Sequence, residues 1–447
     1  MRTQATLLLC SALAAGCTYD ASELGLVPNS DQLLELAAQS QHALTDEDVA
    51  MPGVIDEINN PRNIDPDFTM NLAALPTKAS LATEPWSDSY WPEDHGGISY
   101  RWQRRESFGR LLAQDEIGQM DPVDISKLSP AEKYDLFAGS HEWGLTQRAI
   151  AETSPNEPGW AGYCHGWAPA SLQFPEPQPV TVFNDDGVEI RFGSSDIKAL
   201  LTYFSGQVIP TTYSTDVLSF GVAPRGIGSM CGHGRADLPS CYDANPGALH
   251  VVLGNQIGLR GKGFVLEVDP TYEKWNQPVF AYDSEQLGRR APSPGAAEGA
   301  VEEVIVATTV SWGQEIEPLW EPVVGTHQQV TTDRRYLYTL ELDGNGDVIG
   351  GQWLVRTQGG QFVTMSAAWN VLMEWDANGD GQPDMTRDEA SVQLFQWFPI
   401  PDFAWVQDEA VLPTEFEPIY SYWELVGGSL TTRRNLHGYF GRLHELL

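Results

Sequence analysis

Basic residues are scarce in this chain. Lys and Arg total 26 against 61 Asp and Glu, a net charge of -35, and so acidic a surface repels phosphate backbones and anionic headgroups. Nucleic acid is therefore excluded as an expected partner. The acidity reads first as a solubility device and second as an attraction for cationic, lysine-rich partners. Cysteine is scarce too: Cys10, Cys17, Cys164, Cys231 and Cys241 are the five, and no Cys and His spacing suggests zinc. Beyond the first residues no stretch is long and apolar enough to span a membrane. No period of repetition and no long low-complexity segment is visible. What is abundant is core-forming material, with 42% hydrophobic residues including 15 Trp, 15 Tyr and 16 Phe, enough for a folded protein of one large domain or two ordinary ones.

The first residues have the layout of a secretion signal: one Arg, an apolar run from Leu7 to Ala15, then small residues ending at Gly16 and Cys17. The ending Leu13-Ala14-Ala15-Gly16-Cys17 resembles a bacterial lipobox, in which Cys17 takes lipid and becomes the mature N-terminus. Ordinary signal cleavage is the alternative, because Leu13 sits one place earlier than in the commonest lipobox. The expected location is outside the cytoplasm, as a lipoprotein of the bacterial cell envelope or as a secreted protein. In that oxidising setting Cys231 and Cys241, which bracket the Gly- and Pro-containing segment CGHGRADLPSC, are expected to pair. Cys164 is then left without a partner, and an unpaired cysteine in an exported protein calls for a reason: chemistry, or a small buried hydrophobe.

Four segments are expected: a signal at 1–17, an N-terminal tether with a short helix at 18–81, a catalytic domain at 82–435 and a C-terminal tail at 436–447. In the tether, helical spacing runs near Ser30 to Ala43. Ser129, Pro130 and Glu132 form a capping-box signature for a helix over Leu128 to Phe137. Cys164 is expected to open a helix, and a second helix begins near Ser194 or Ser195. From Ala248 the pattern changes to strands: ALHVVLGN, the turn QIGLRGKG, and FVLEVD. RRYLYTLEL and VIGGQWLV form another pair, joined by the hairpin sequence Asp343-Gly344-Asn345-Gly346. Helices first and antiparallel strands second argue for an α+β domain.

A thiol attacks as thiolate, and a helix N-terminus favours that anion, so Cys164 is the candidate nucleophile. The free N–H groups of the same turn would face a developing oxyanion. His165 is adjacent on the helix and points elsewhere. His250 is the better base, because a hairpin centred near Leu259 or Arg260 would pair its strand with FVLEVD and bring Asp269 beside it. An orienting carboxylate is what an imidazole base needs. A coincidental strand histidine remains the alternative, and nothing local brings Cys164 to the other two residues.

The segments YCHGWAPAS, DIKALLTYF, Asn245-Pro246-Gly247-Ala248-Leu249-His250 and VDPTYEKWNQP resemble, in order, the transglutaminase elicitor family of oomycetes and bacteria. The resemblance extends upstream to SYWP and LSPAEKYDL and downstream to YTLELDGNGDVIGGQW and IPDFAWV. It implies a papain-like, transglutaminase-like α+β core with the nucleophile helix packed on an antiparallel β-sheet, and Cys164, His250 and Asp269 in the catalytic roles. It also implies acyl transfer from a peptide glutamine to an amine such as lysine through a thioester. Partners would be proteins bearing Gln and Lys, with the membrane reached through the lipid anchor. Water as acceptor would make the chain a thiol peptidase or deamidase, and loss of the chemistry would leave a surface-binding lipoprotein. Trp160, Trp167 and Trp275 could line a dry substrate entrance, or be ordinary core.

No organic cofactor is expected. Calcium is, in a structural or regulatory role, at Asp376, Asn378, Asp380 and Asp384 around Gly381 in WDANGDGQPDMT. Arg387 stands where a full EF-hand has Glu, so a short calcium loop fits better. Asp343, Asn345 and Asp347 are more simply a hairpin turn.

Overall fold

The computed structural model describes residues 29–39, 53–208, 225–229, 243–269, 273–293, 295–376, 382–417 and 436–447. Its helices are α1 (Ser30–Gln39), α2 (Gln114–Ile117), α3 (Pro122–Ile125), α4 (Pro130–Phe137), α5 (Gly144–Ala151), α6 (Cys164–Gln173), α7 (Ser194–Tyr203), α8 (Pro246–Val252), α9 (Met365–Met373) and α10 (Arg387–Trp397). Strands β1 (Lys78–Ser80), β2 (Val180–Phe183), β3 (Glu189–Phe192), β4 (Gly226–Gly228), β5 (Phe264–Glu267) and β6 (Asn276–Arg290) are interspersed among them. Then follow β7 (Glu302–Gly313), β8 (Thr331–Leu342), β9 (Val348–Gly350), β10 (Trp353–Arg356), β11 (Phe362–Thr364) and β12 (Phe403–Trp405).

The central sheet runs β11-β10-β8-β7-β6-β5-β12-β4, with β1 beside β6 and β9 beside β8. Every described pairing in it is antiparallel. The α+β expectation is met. β6 is long enough to carry β5 on its first residues and β1 further along, at Ala281 to Asp283. Successive side chains on a strand point to opposite faces, so the sheet divides two cores. Phe264 and Leu266 of β5, Tyr336, Tyr338 and Leu340 of β8 and Ala404 of β12 belong to one core, with Leu249, Val251 and Val252 of α8. Val265 of β5, Phe403 and Trp405 of β12 belong to the other, with Trp167 and Ala168 of α6 and Leu200 and Leu201 of α7.

Local sequence explains the helices on the α6 side. Ser129 Oγ accepts from the Glu132 main-chain N–H at 3.2 Å while the Glu132 carboxylate accepts from the Ser129 N–H at 2.9 Å, the reciprocal cap expected of α4. α6 lies hard against α7 because Gly166 has no side chain: a Cβ there would come within 2.2 Å of the Thr202 carbonyl oxygen. α4 and α7 are joined by the fully buried pair Lys133 Nζ to Asp196 Oδ2 at 2.6 Å, and Trp102 Nε1 donates to Asp196 Oδ1 at 2.9 Å. Removing either charge would strand the other in the core.

Three expectations are corrected. Residues 248–255 are no strand: Asn245 Oδ1 accepts from the N–H groups of Gly247 and Ala248 at 2.9 and 3.2 Å, Pro246 occupies the first turn, and α8 follows. Much of the 18–81 segment is no tether. α1 forms over Ser30–Gln39 as expected, but Ile64, Phe68, Leu72 and Leu75 are core and β1 joins the sheet. Residues 436–447 are no free tail, since Leu436, Tyr439, Phe440 and Leu443 are buried against α4 and α7, and Tyr439 Oη donates to Asp135 at 2.5 Å. The hairpin at 343–347 forms as read, with Asp343 Oδ1 accepting from the N–H groups of Asn345 and Asp347 at 2.8 and 2.9 Å.

Candidate active site

Cys164 opens α6 as expected and is buried, with 4% of its surface exposed. Its S–H donates to the Lys274 carbonyl oxygen at 3.3 Å, and Asn276 Nδ2 donates to the sulfur at 3.6 Å. Asn276 Oδ1 in turn accepts from Trp405 Nε1 at 2.9 Å. The opposite residue in the β5–β6 register is Glu267, so it shares the Cys164 face of the sheet. Glu267 is fully buried; its Oε1 accepts from the N–H groups of Asp269 and Trp275 at 3.0 and 2.9 Å, and its Oε2 has no hydrogen-bond partner.

Burial pushes the Cys164 thiol up to about 11. The two Asn276 donors, main-chain and side-chain, pull it down, and Glu315 and Glu267 push it further up. A helix N-terminus contributes about 0.3–2 kcal/mol, at most roughly 1.5 pKa units, whereas full burial can move a group by about 3–5 units. Desolvation therefore wins, and the expected depressed thiol is corrected: in this conformation Cys164 is protonated at neutral pH. Burial also raises Glu315 to about 7, although Gln277 Nε2 donates to it at 2.7 Å, and holds Glu267 well above the carboxylate range.

The structure does not bring His250 to Cys164. His250 sits on α8, on the opposite face of the sheet, where its Nδ1 meets Tyr338 Oη at 2.9 Å. Tyr338 Oη meets Thr308 Oγ1 at 2.5 Å, and Thr308 meets Ser284 Oγ at 2.8 Å. Ser284 is eight residues along β6 from Asn276, about 26 Å of strand. Burial lowers the His250 imidazole to about 4. The hairpin meant to place Asp269 beside His250 does not exist, because β5 pairs with β6 and β12 instead; half-buried Asp269 follows β5 and donates its N–H to Glu267. His165 is half-buried, its imidazole lowered to about 4 by desolvation, with its ring against Gly206.

Of the three tryptophans expected at an entrance, Trp167 is corrected to core: it is fully buried and donates to the Trp86 carbonyl oxygen at 3.3 Å. Trp275 follows Lys274 in sequence and is half-buried, packed against the core that contains α8 and edge-on to Tyr90 at 5.2 Å between ring centres. Trp160 is half-buried, one residue from Gly159, whose carbonyl oxygen accepts from Tyr90 Oη at 2.5 Å. Sequence reading missed Asn276, Trp405 and Glu267. All three lay inside segments already singled out, and Glu267, a charge inside an apolar strand, was the clearest signal.

Of the calcium set, Asp376 and Asp384 lie between α9 and α10, and the Asp384 N–H donates to the Trp375 carbonyl oxygen at 2.8 Å. Asn378 and Asp380 lie outside the described residues, as do Cys17, Cys231 and Cys241. Among the described residues no group of three or more His, Cys, Asp or Glu is placed to hold a metal ion. No helix among them is long and apolar enough to cross a membrane.

Residues 144–363 match the transglutaminase elicitor family. The matched span contains Cys164, His250, Glu267 and Asn276. The crystal structure of the GP42 transglutaminase from Phytophthora sojae is similar to this chain with a TM-score of 0.50 and 20% identity, over 86% of this chain and 99% of that one. At that identity the likeness establishes a shared transglutaminase-like fold. None of the curated proteins matches the chain in sequence.

Proposed function

We propose that this chain is an exported, transglutaminase-like acyltransferase whose nucleophile is Cys164. The observation that carries the reading is the thiol at the start of a buried helix, in hydrogen-bond contact with Asn276 at the first residue of β6. The elicitor-family match over the same segment supports it and agrees with export. In the reaction, Sγ attacks the carboxamide carbon of a peptide glutamine, the carbon–nitrogen bond breaks, and the thiol proton leaves with ammonia. A protein lysine then takes the acyl group and returns the proton to sulfur. Half-buried Trp275 and Trp160 are proposed to shield the thioester from water. Calcium bound around Asp376 and Asp384 would hold the loop between α9 and α10 closed and takes no part in the chemistry. The lipid anchor on Cys17 and the Cys231–Cys241 bridge belong to the same proposal.

Mass spectrometry of a glutamine peptide mixed with a lysine peptide tests it. Isopeptide product with loss of ammonia, absent from Cys164→Ala, is the expected outcome; products of water alone would make the chain a thiol hydrolase. The separation of Cys164 from His250 favours a second reading, a surface-binding protein that keeps the fold without the chemistry. Under that reading the two peptides come through unchanged.

A further inference from the structure

Asn276 is 5% exposed and Trp405 is fully buried, so the carboxamide between sulfur and indole has little freedom. The indole N–H can only donate. It must therefore face Oδ1, which turns the amide nitrogen of Asn276 toward Cys164. Register supports the same placement: Asn276 is opposite Glu267 on β5, and Trp405 is opposite Val265, so all of them share the α6 face. A neutral thiol gains little from an amide donor. A thiolate gains about twice as much, because charge-assisted hydrogen bonds are the stronger kind. An asparagine serving only to satisfy itself in a core would have no reason to aim its N–H at a weak acceptor while its carbonyl is taken by an indole.

We propose that Asn276 is a catalytic residue that donates to the sulfur of Cys164 and stabilises the thiolate once the proton leaves, with Trp405 as the positioning residue that fixes which end of the amide faces sulfur. The proposal rests on the acyl-transfer reading for its purpose, but the state it describes can be observed without any substrate. On ionisation the thiol gives up its hydrogen bond to the Lys274 carbonyl oxygen and keeps the one from Asn276. The same donor steadies the sulfur again when the thioester collapses and thiolate is the leaving group.

The test is the pH profile of Cys164 alkylation by iodoacetamide on the full chain, read at the Cys164 peptide by mass spectrometry. Asn276→Ala is expected to move the midpoint upward and slow alkylation below it about tenfold. Asn276→Asp, which sets a carboxylate against the sulfur, is expected to move it further. Trp405→Phe keeps the ring volume and frees the amide to flip, so a smaller upward shift is expected, together with a lower kcat at little-changed KM for transfer. Unchanged midpoints in folded Asn276→Ala and Asn276→Asp overturn the proposal. Asn276→Ser, with a shorter donor, replaces them should either fail to fold, and an unmoved midpoint there counts equally against it. A shifted midpoint without any isopeptide product would instead sink the acyl-transfer reading and leave the thiolate donor standing.

Discussion

The two faces of the central sheet both bury polar side chains, and they do so differently. On the α8 face, His250, Tyr338, Thr308 and Ser284 form a closed chain in which each group has its partner. On the α6 face, Cys164 lies among Asn276, Glu267 and Glu315, where Glu267 Oε2 is unmatched and both carboxyls are pushed up by burial. Buried polar groups are ordinarily satisfied, and an exception asks for an explanation. Tyr336 Oη and Trp312 Nε1 are unmatched on the α8 side as well, so what distinguishes the α6 cluster is an unmatched carboxyl oxygen close to a thiol; the closed chain reads as structure, and the thiol with its carboxyls reads as a site. The histidine that sequence spacing made a base thus belongs to the quiet face.

The largest effect that separates the faces is on chemistry. His250→Gln is expected to leave the Cys164 alkylation profile and the transfer rate of the folded protein unchanged, whereas Cys164→Ala abolishes transfer. Peptide mass spectrometry on both variants decides it, and loss of transfer in folded His250→Gln would restore the triad.

A smaller effect is on stability. Tyr338→Phe removes the hydroxyl that joins His250 to Thr308; Thr308 keeps Ser284, but the buried His250 Nδ1 loses this hydrogen bond, which is expected to cost about 1–3 kcal/mol, read as a lower midpoint in urea. The α6 face should not register the change, so alkylation of Cys164 stays as it was.

The third effect is on pH dependence. Burial raises Asp88 and Glu315 to about 7, Asp135 to about 6 and Glu341 to about 7. Between their unfolded values near 4 and these folded values, the folded protein binds more protons than the unfolded one, so their contribution falls as pH rises. His165 and His250, lowered to about 4, bind more protons when unfolded over roughly pH 4 to 6.5 and act in the opposite sense. Four carboxyls outweigh two imidazoles, so Tm is expected to be higher at about pH 5 than at about pH 7.5. A thermal scan showing the reverse order contradicts this balance. Glu315→Gln should narrow the gap between the two temperatures, and it should also speed Cys164 alkylation, because Glu315 raises the thiol.

Sequence reading succeeded where local chemistry decides the outcome. The Ser129 and Glu132 cap, the helix opening at Cys164 and the hairpin at Asp343 were legible because each depends on residues a few places apart. Residues 248–252 were misread because a short apolar run fits a strand and a buried helix equally well. The Asn245-Pro246 cap was present in the sequence and should have decided between them. The 53–81 segment looked like a tether because its Asn and Pro residues suggested loops, yet Asn59 and Asn71 spend their amides on distant partners at Asp243 and Asn345. The contact of Asn276 with Cys164 joins residues more than a hundred positions apart, and no local pattern carries that.

The most direct measurement is to trap the acyl-enzyme: the full chain is incubated with a glutamine peptide without added amine, quenched in acid and digested for mass spectrometry. The account predicts a thioester adduct on Cys164 in the wild-type chain and in His250→Gln, and none in Cys164→Ala. An adduct that vanishes with His250, or that sits on another residue, would contradict it.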